Sequence, residues 1–451
     1  MRKNYLLMAA AAMLLASCSN EADSPKNPQD ENKNEGVITL TALSPQSQAS
    51  RIQNINGTRD GEKKKRLTLT TKVAPVNAAA LNNWSATAVA FGGDDNVYVT
   101  WHSDGQAHNP GTPATAWGGA IDVMTYARGG GVSFKSTLTS EESKFNNVIA
   151  DGSTTNLFVS LTSGKNGASV GRVNIPPVIE DGVQIVMDTI VVPGSSVNCV
   201  ALDGQTAYAV SGYKGGAFSF SKNFAKGAEI KAIYPYQEDF GGKYITDGYI
   251  LRTDAEHCYI VPQNGGEAIV TGAPLISSEK YSESFDPATG KWEVGGDNQT
   301  LAKYYGKHTM AVDGDYIYVA GGKVDKPENE NASKEKNGLR VYDKNTGKQV
   351  WGNATNTTAV CVAGDYVYAA TGAGLRVYEK FNGKELKLFA FETVPGKDDK
   401  GNDVQVAGTD AHSCNFIAVD GNDIYMANGQ SGLYIFTLDT TAPEQEETPA
   451  E

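Results

Sequence analysis

HTMAVDGDYIYVAGG, residues 308–322, is the stretch from which this chain is read. Apolar residues alternate through Met310 and Val312, Asp313-Gly314 interrupts them, and alternation resumes through Ile317 and Val319 around Tyr318. The pattern is strand, tight turn, strand, with both faces covered. Glycine supplies a positive φ that other residues resist, and the aspartate side chain caps the turn. The same pattern returns as VNCVALDGQTAYAVSG from Val197, TAVCVAGDYVYAATG from Thr358 and NFIAVDGNDIYMANG from Asn415. Each copy carries a tyrosine four residues after its turn glycine: Tyr208, Tyr318, Tyr368 and Tyr425.

A third strand follows in register, as GAFSFSK from Gly216, GLRVYDKNTGK from Gly338, GLRVYEKFNGK from Gly374 and GLYIFTLD from Gly432. In two copies it turns at Gly347 or Gly383 into a fourth strand, KQVWG or KELKLFAF. Four antiparallel strands in about fifty residues make one blade of a β-propeller, a unit too small to cover its own two apolar faces. Turn glycines fall at 152, 204, 314, 364 and 421. The doubled interval between 204 and 314 holds a weaker copy, YILRTDAEHCYIVPQNGGEAIV from Tyr249. One more copy, TAVAFGGDDNVYVTWHS from Thr87, continues into AIDVMTYA ahead of Gly152.

The expectation is an all-β, seven-bladed propeller of four-stranded antiparallel blades over residues 66–439. The last copy lacks an outer strand, because Thr440-Thr441-Ala442-Pro443 and an acidic tail follow it; residues 440–451 are expected to be disordered. LTLTTKV, Leu67 to Val73, is expected to supply the missing strand and close the ring from the other chain end. Two smaller β domains are the competing reading, against which no Pro- or Ser-rich linker interrupts the period.

GLRVYDKNTGKQVW resembles the repeats of pyrroloquinoline-quinone-type propellers, and GLRVYD and GLYIFTLD are similar to the LVIVD repeats of bacterial surface propellers. The resemblance spans most of residues 85–439 and implies repeat architecture, not an activity. Quinoprotein chemistry would need a vicinal disulfide, and no two cysteines are adjacent, so no cofactor is expected.

The chain opens on Met1-Arg2-Lys3 and an apolar run from Tyr5 to Leu15, too short to span a bilayer, which reads as a signal peptide over residues 1–17. Leu15-Ala16-Ser17-Cys18 resembles the lipobox of bacterial lipoproteins. The resemblance implies that Cys18 is acylated and anchors the protein to a membrane. Glu21 and Asp23 resemble the acidic export signal of Bacteroidetes surface lipoproteins, which implies the outer membrane; they also fit a plain solvated tether. Residues 18–65, rich in Asn, Gln, Lys, Glu and Pro, are expected to form a disordered stalk, with one apolar stretch from Val37 to Leu43.

The net charge of −13 and the lack of a basic stripe argue against nucleic acid as a partner. Cys199, Cys258, Cys361 and Cys414 are too dispersed for a zinc site or a small-domain disulfide framework; buried thiols, or one long-range disulfide, remain. Of the five histidines, none forms an HxH or HExxH pair, and no metal is expected, although His102, His308 and His412 could gather near one face. No catalytic constellation is legible, so the reading leans to a non-catalytic protein.

Six positions before the turn glycine stand Asn146, Asn198, His308, Thr358 and Asn415, polar where the alternation admits an apolar residue. They could ring the channel mouth and meet the hydroxyls of a sugar, or hold each blade to its neighbour. The longest insertions, His102 to Gly118, Lys323 to Asn337 and Val394 to His412, belong to the same face. Trp101 and Trp117 could stack on a pyranose or pack their loop. The resulting expectation is a monomeric, lipid-anchored binding propeller for a glycan or protein ligand. A polysaccharide lyase or glycosidase and a scaffold subunit of an outer-membrane complex are the alternatives.

Overall fold

The computed structural model describes residues 35–55, 67–76, 84–93, 95–103, 118–127, 131–152, 154–163, 167–194, 196–211, 216–224, 228–235, 248–253, 258–262, 267–271, 285–286, 291–294, 297–298, 300–303, 308–321, 338–343, 349–353, 357–371, 374–390, 393–397, 403–407 and 414–439. Its first elements are β1 (Glu35–Leu43), a short helix α1 (Pro45–Gln48), β2 (Ile52–Asn54) and β3 (Leu67–Val73).

From there the repeated unit appears as antiparallel sheets whose strands follow chain order. One run is β4 (Trp84–Phe91), β5 (Asn96–Ser103), β6 (Gly118–Ala127) and β7 (Gly131–Ser140); the next is β8 (Ser143–Ala150), β9 (Asn156–Ser163), β10 (Gly167–Asn174) and β11 (Gln184–Val191). A third sheet comprises β12 (Val197–Asp203), β13 (Thr206–Ser211), β14 (Gly216–Ser221) and β15 (Lys231–Pro235). After β16 (Gly248–Thr253), β17 (Cys258–Pro262) and β18 (Glu267–Thr271), short strands β19 (Phe285–Asp286), β20 (Lys291–Val294) and β21 (Asp297–Asn298) intervene before β22 (Thr300–Lys303) pairs with β18. Then come β23 (His308–Asp313), β24 (Tyr316–Gly321), β25 (Gly338–Asp343) and β26 (Gln349–Gly352), followed by β27 (Ala359–Ala363), β28 (Tyr366–Thr371), β29 (Gly374–Glu379) and β30 (Glu385–Ala390). A hairpin of β31 (Thr393–Lys397) and β32 (Asp403–Ala407) precedes β33 (Phe416–Asp420), β34 (Asp423–Ala427) and β35 (Leu433–Leu438).

The fold is all-β and propeller-like. Leading strands neighbour one another in the cyclic order β4, β8, β12, β16, β23, β27, β33 and again β4. Apolar clusters lie between successive sheets: Val89 and Trp101 pack with Tyr425 and Leu433, and Leu157 and Met187 pack with Tyr98 and Leu138. A sheet of short strands with both faces apolar has no other place to bury them. The repeated tyrosines Tyr98, Tyr208, Tyr318, Tyr368 and Tyr425 are all buried. Turn glycines 152, 204, 314, 364 and 421 share φ values from +55° to +59°.

At the chain ends, β3 pairs antiparallel with β35, Leu67 opposite Leu438 and Val73 opposite Leu433. In the last two copies a glycine opens the third strand because the fourth strand's backbone passes against it. A Cβ on Gly432 would sit 2.2 Å from Val73 O, and one on Gly374 1.8 Å from Phe389 O.

The expected disordered stalk, residues 18–65, is corrected over residues 35–55. β1 lies between β7 and β11 and joins their two runs into a nine-stranded sheet. Ile38, Leu40 and Ala42 face the core, and β2 pairs with β3. The physical reason is the period of two in VITLTAL, which a polar average over the whole segment conceals. Cys18, the rest of the signal and stalk, and the tail 440–451 lie outside the described residues.

Candidate functional site

Every sheet has two edges, one where its leading strand begins and one where that strand turns. In the first run, Trp84 pairs with Ser103, Ser103 with Gly118 and Gly119 with Ser140, so the second-to-third connection and the exit to the next sheet share the starting edge. By the same topology the connections 104–117, 236–247, 322–337 and 391–415 all depart from that edge. The opposite edge carries two-residue turns such as 204–205, 314–315, 364–365 and 421–422, and also the long connection 272–299 between β18 and β22.

The polar positions of the leading strands lie at the long-connection edge, and their bonds run from sheet to sheet. Asn146 is the extra residue of a bulge in β8, and its amide donates to Ser196 Oγ at 2.9 Å and Val197 O at 2.8 Å, at the start of β12. Asn198 occupies the matching bulge in β12 and accepts from Ser196 Oγ at 3.2 Å. Across the chain-end junction, Asn415 Nδ2 donates to Ala86 O at 2.6 Å and to Ser85 Oγ at 3.3 Å. Thr87 Oγ1 lies 3.0 Å from Phe145 O, and Thr309 Oγ1 accepts from Val360 N at 2.9 Å. Thr358 is buried, its own N–H donating to Ala370 O at 2.8 Å. His308 opens β23 opposite Gly321, and its side chain lies outside those described. Among the described residues these amides and hydroxyls link β4 to β8, β8 to β12, β23 to β27 and β33 to β4; Thr87 and Thr309 were not legible, because neither sits at the spacing that the turn glycine defines.

Trp101 is a correction: it offers no exposed face for stacking. Its ring is fully buried, and its Nε1 donates to Asp122 Oδ2 at 2.7 Å. His102 beside it is buried as well. Trp117 and His412 lie outside the described residues, as do the loops that carry them.

Around Trp101 stands a polar cluster that sequence reasoning missed. Arg51 meets Asp122 through two parallel bonds, Nη1 to Oδ1 at 2.9 Å and Nη2 to Oδ2 at 2.7 Å, with both side chains buried. Arg51 Nε donates to Ala74 O at 2.9 Å and Nη1 to Gln48 Oε1 at 3.0 Å, while Thr137 Oγ1 donates to Asp122 Oδ1 at 2.6 Å. The guanidinium lies 5.1 Å from the Trp101 ring and 4.8 Å from that of Phe134. A lone acid inside the apolar run Ala120 to Met124 was the one available signal, since a charge there needs a buried partner.

A second buried acid, Asp423, spans the junction of the chain ends. Tyr126 Oη donates to its Oδ2 and Thr437 Oγ1 to its Oδ1, and burial outweighs the Thr437 bond to push the carboxyl above its ordinary value. Burial also raises the phenols of Tyr318, Tyr368 and Tyr425, so none is poised for proton transfer near neutrality. Among the described residues, no three His, Cys, Asp or Glu side chains are grouped to hold a metal ion. No described helix is long and apolar enough to cross a membrane.

No known family description matches the chain, and no curated protein does. Among solved structures, it is similar to BamB from Moraxella catarrhalis at 12% identity and a TM-score of 0.41, over 84% of this chain and 99% of that one. It is similar to the computationally designed Ika8 protein at 10% identity and a TM-score of 0.40, over 81% of this chain and 99% of that one. A protein of Bacteroides uniformis ATCC 8492 with a provisional 6-phosphogluconolactonase designation is similar at 12% identity and a TM-score of 0.41, over 82% and 95%. Likeness at these levels bears on neither activity nor partner.

Proposed function

We propose that this chain is a seven-bladed propeller, anchored through a lipidated Cys18 to the outer membrane, that binds a glycan or protein ligand at its long-connection edge. The cyclic order of leading strands and the pairing of β3 with β35 support the blade count. The observation that carries the binding role is that the strands bounding connections 104–117, 236–247, 322–337 and 391–415 end at one edge, whereas the first-to-second turns at the other are two to five residues long and 272–299 is the longest connection leaving from there. Long loops on a rigid scaffold are where recognition concentrates. Asn146 and Asn415 spend their amides on neighbouring backbone, so the ligand contacts fall to the loops, Trp117 and His412 among them.

The test is a glycan array probed with the secreted chain carrying Cys18→Ser, beside its Trp117→Ala derivative. Binding of one glycan class, weakened tenfold or more by Trp117→Ala at unchanged melting temperature, is expected. An empty array would overturn the glycan reading in favour of a protein ligand. Trp101→Ala is unsuitable as a binding probe, because it removes a core side chain.

A further inference from the structure

We propose that residues 35–55 form an exchangeable strap, docked on a ring that closes without it and latched by Arg51 on Asp122. Four contacts that close the ring involve no residue of this segment. They are the β3 to β35 ladder, the Asn415 bond to Ala86 O, the Ala86 N–H to Gly429 O and the contact of Tyr126 with Asp423. The strap lies outside them, with β1 along the outer edges of β7 and β11 and β2 along β3.

Its apolar contribution is small. Ile38, Leu40 and Ala42 are buried while Val37 is 59% exposed, and a segment of this length loses more conformational freedom than so few side chains offset. Attachment therefore leans on the point where the strap's buried charge enters the core. There the Arg51 guanidinium bridges Asp122 of β6 to Ala74 O, just after β3, across the junction of the chain ends. Asp122 is fully engaged by Arg51, Trp101 and Thr137, so removing Arg51 leaves a buried carboxylate short of its counter-charge. A lysine lacks the planar fork that makes both bonds.

With the strap away, β7 and β11 present unpaired edges, and the places of Ile38, Leu40 and Ala42 lie open between them. An extended strand of the same alternating pattern fits that slot by strand addition, and the strap of a second copy carries it. This inference stands whatever the loop edge binds and whether or not Cys18 carries lipid.

Native-state hydrogen exchange on the full chain, compared with Arg51→Met and Arg51→Lys, tests it. The strap amides of Ile38 to Leu43 should exchange at least tenfold faster in Arg51→Met, less so in Arg51→Lys, with the amides of β34 unchanged. A labelled synthetic peptide of residues 35–55 should then bind the Arg51→Met protein one to one and leave the unaltered protein unlabelled. Equal acceleration in β1 and β34, or failure of Arg51→Met to fold, would show that strap and ring are one cooperative unit and overturn the proposal. Peptide binding to neither protein would overturn the exchange.

Discussion

Asp95 lies in the turn of the first copy, three residues before Tyr98 where later copies place glycine four before their tyrosine, and it takes φ +54° beside the glycines' +55° to +59°. Aspartate tolerates this region better than most residues, yet still with strain. Asp95→Gly should therefore stabilise the protein by up to about 1 kcal/mol, whereas Gly314→Ala should destabilise it by about 1–2 kcal/mol. The second figure is purely conformational, since a Cβ on Gly314 meets nothing within 4 Å. Urea midpoints of the two variants check both signs. The turn was legible at the other copies because a glycine four residues before the tyrosine announces it; at Asp95 no such glycine does.

Between elements, the junction of the first and last sheets is where burial and charge meet. Asp423 in β34 contacts Tyr126 in β6, and its folded carboxyl titrates above the ordinary 3.8. Between these two values the folded state binds more protons than the unfolded one. Asp423 thus makes stability fall as pH rises from about 3.8 through the raised folded value. Asp423→Asn should remove that component, so that the two proteins diverge in urea midpoint across the window, the variant falling less. Parallel profiles would refute the assignment. Elements with their own period were readable without coordinates, including β3 as partner of β35 and the leading and second strands of each copy. β1 has the same period but was submerged in a polar segment, and nothing local in Arg51 tells that its partner lies at Asp122. Pairings between distant residues leave no periodic trace in either partner's neighbourhood, which is why the buried cluster and the role of Trp101 within it escaped reading.

At the scale of the whole molecule, a unit that cannot cover its own faces is repeated until the last copy meets the first, and the outer strand of the last copy comes from the other end of the chain. The polar bonds from leading strand to leading strand and the apolar clusters between sheets both follow from that arrangement. It also sets four long connections, 104–117, 236–247, 322–337 and 391–415, at one edge, which is the basis of the binding proposal. Closure is tested most directly by the double variant Thr68→Cys and Thr437→Cys, whose Cα atoms face each other across β3 and β35. Mild oxidation should join the two cysteines within one chain, found by peptide mapping as a bond between the segments around 68 and 437, and should raise the melting temperature. Failure to form that bond, or its formation only between chains, would contradict the closed ring.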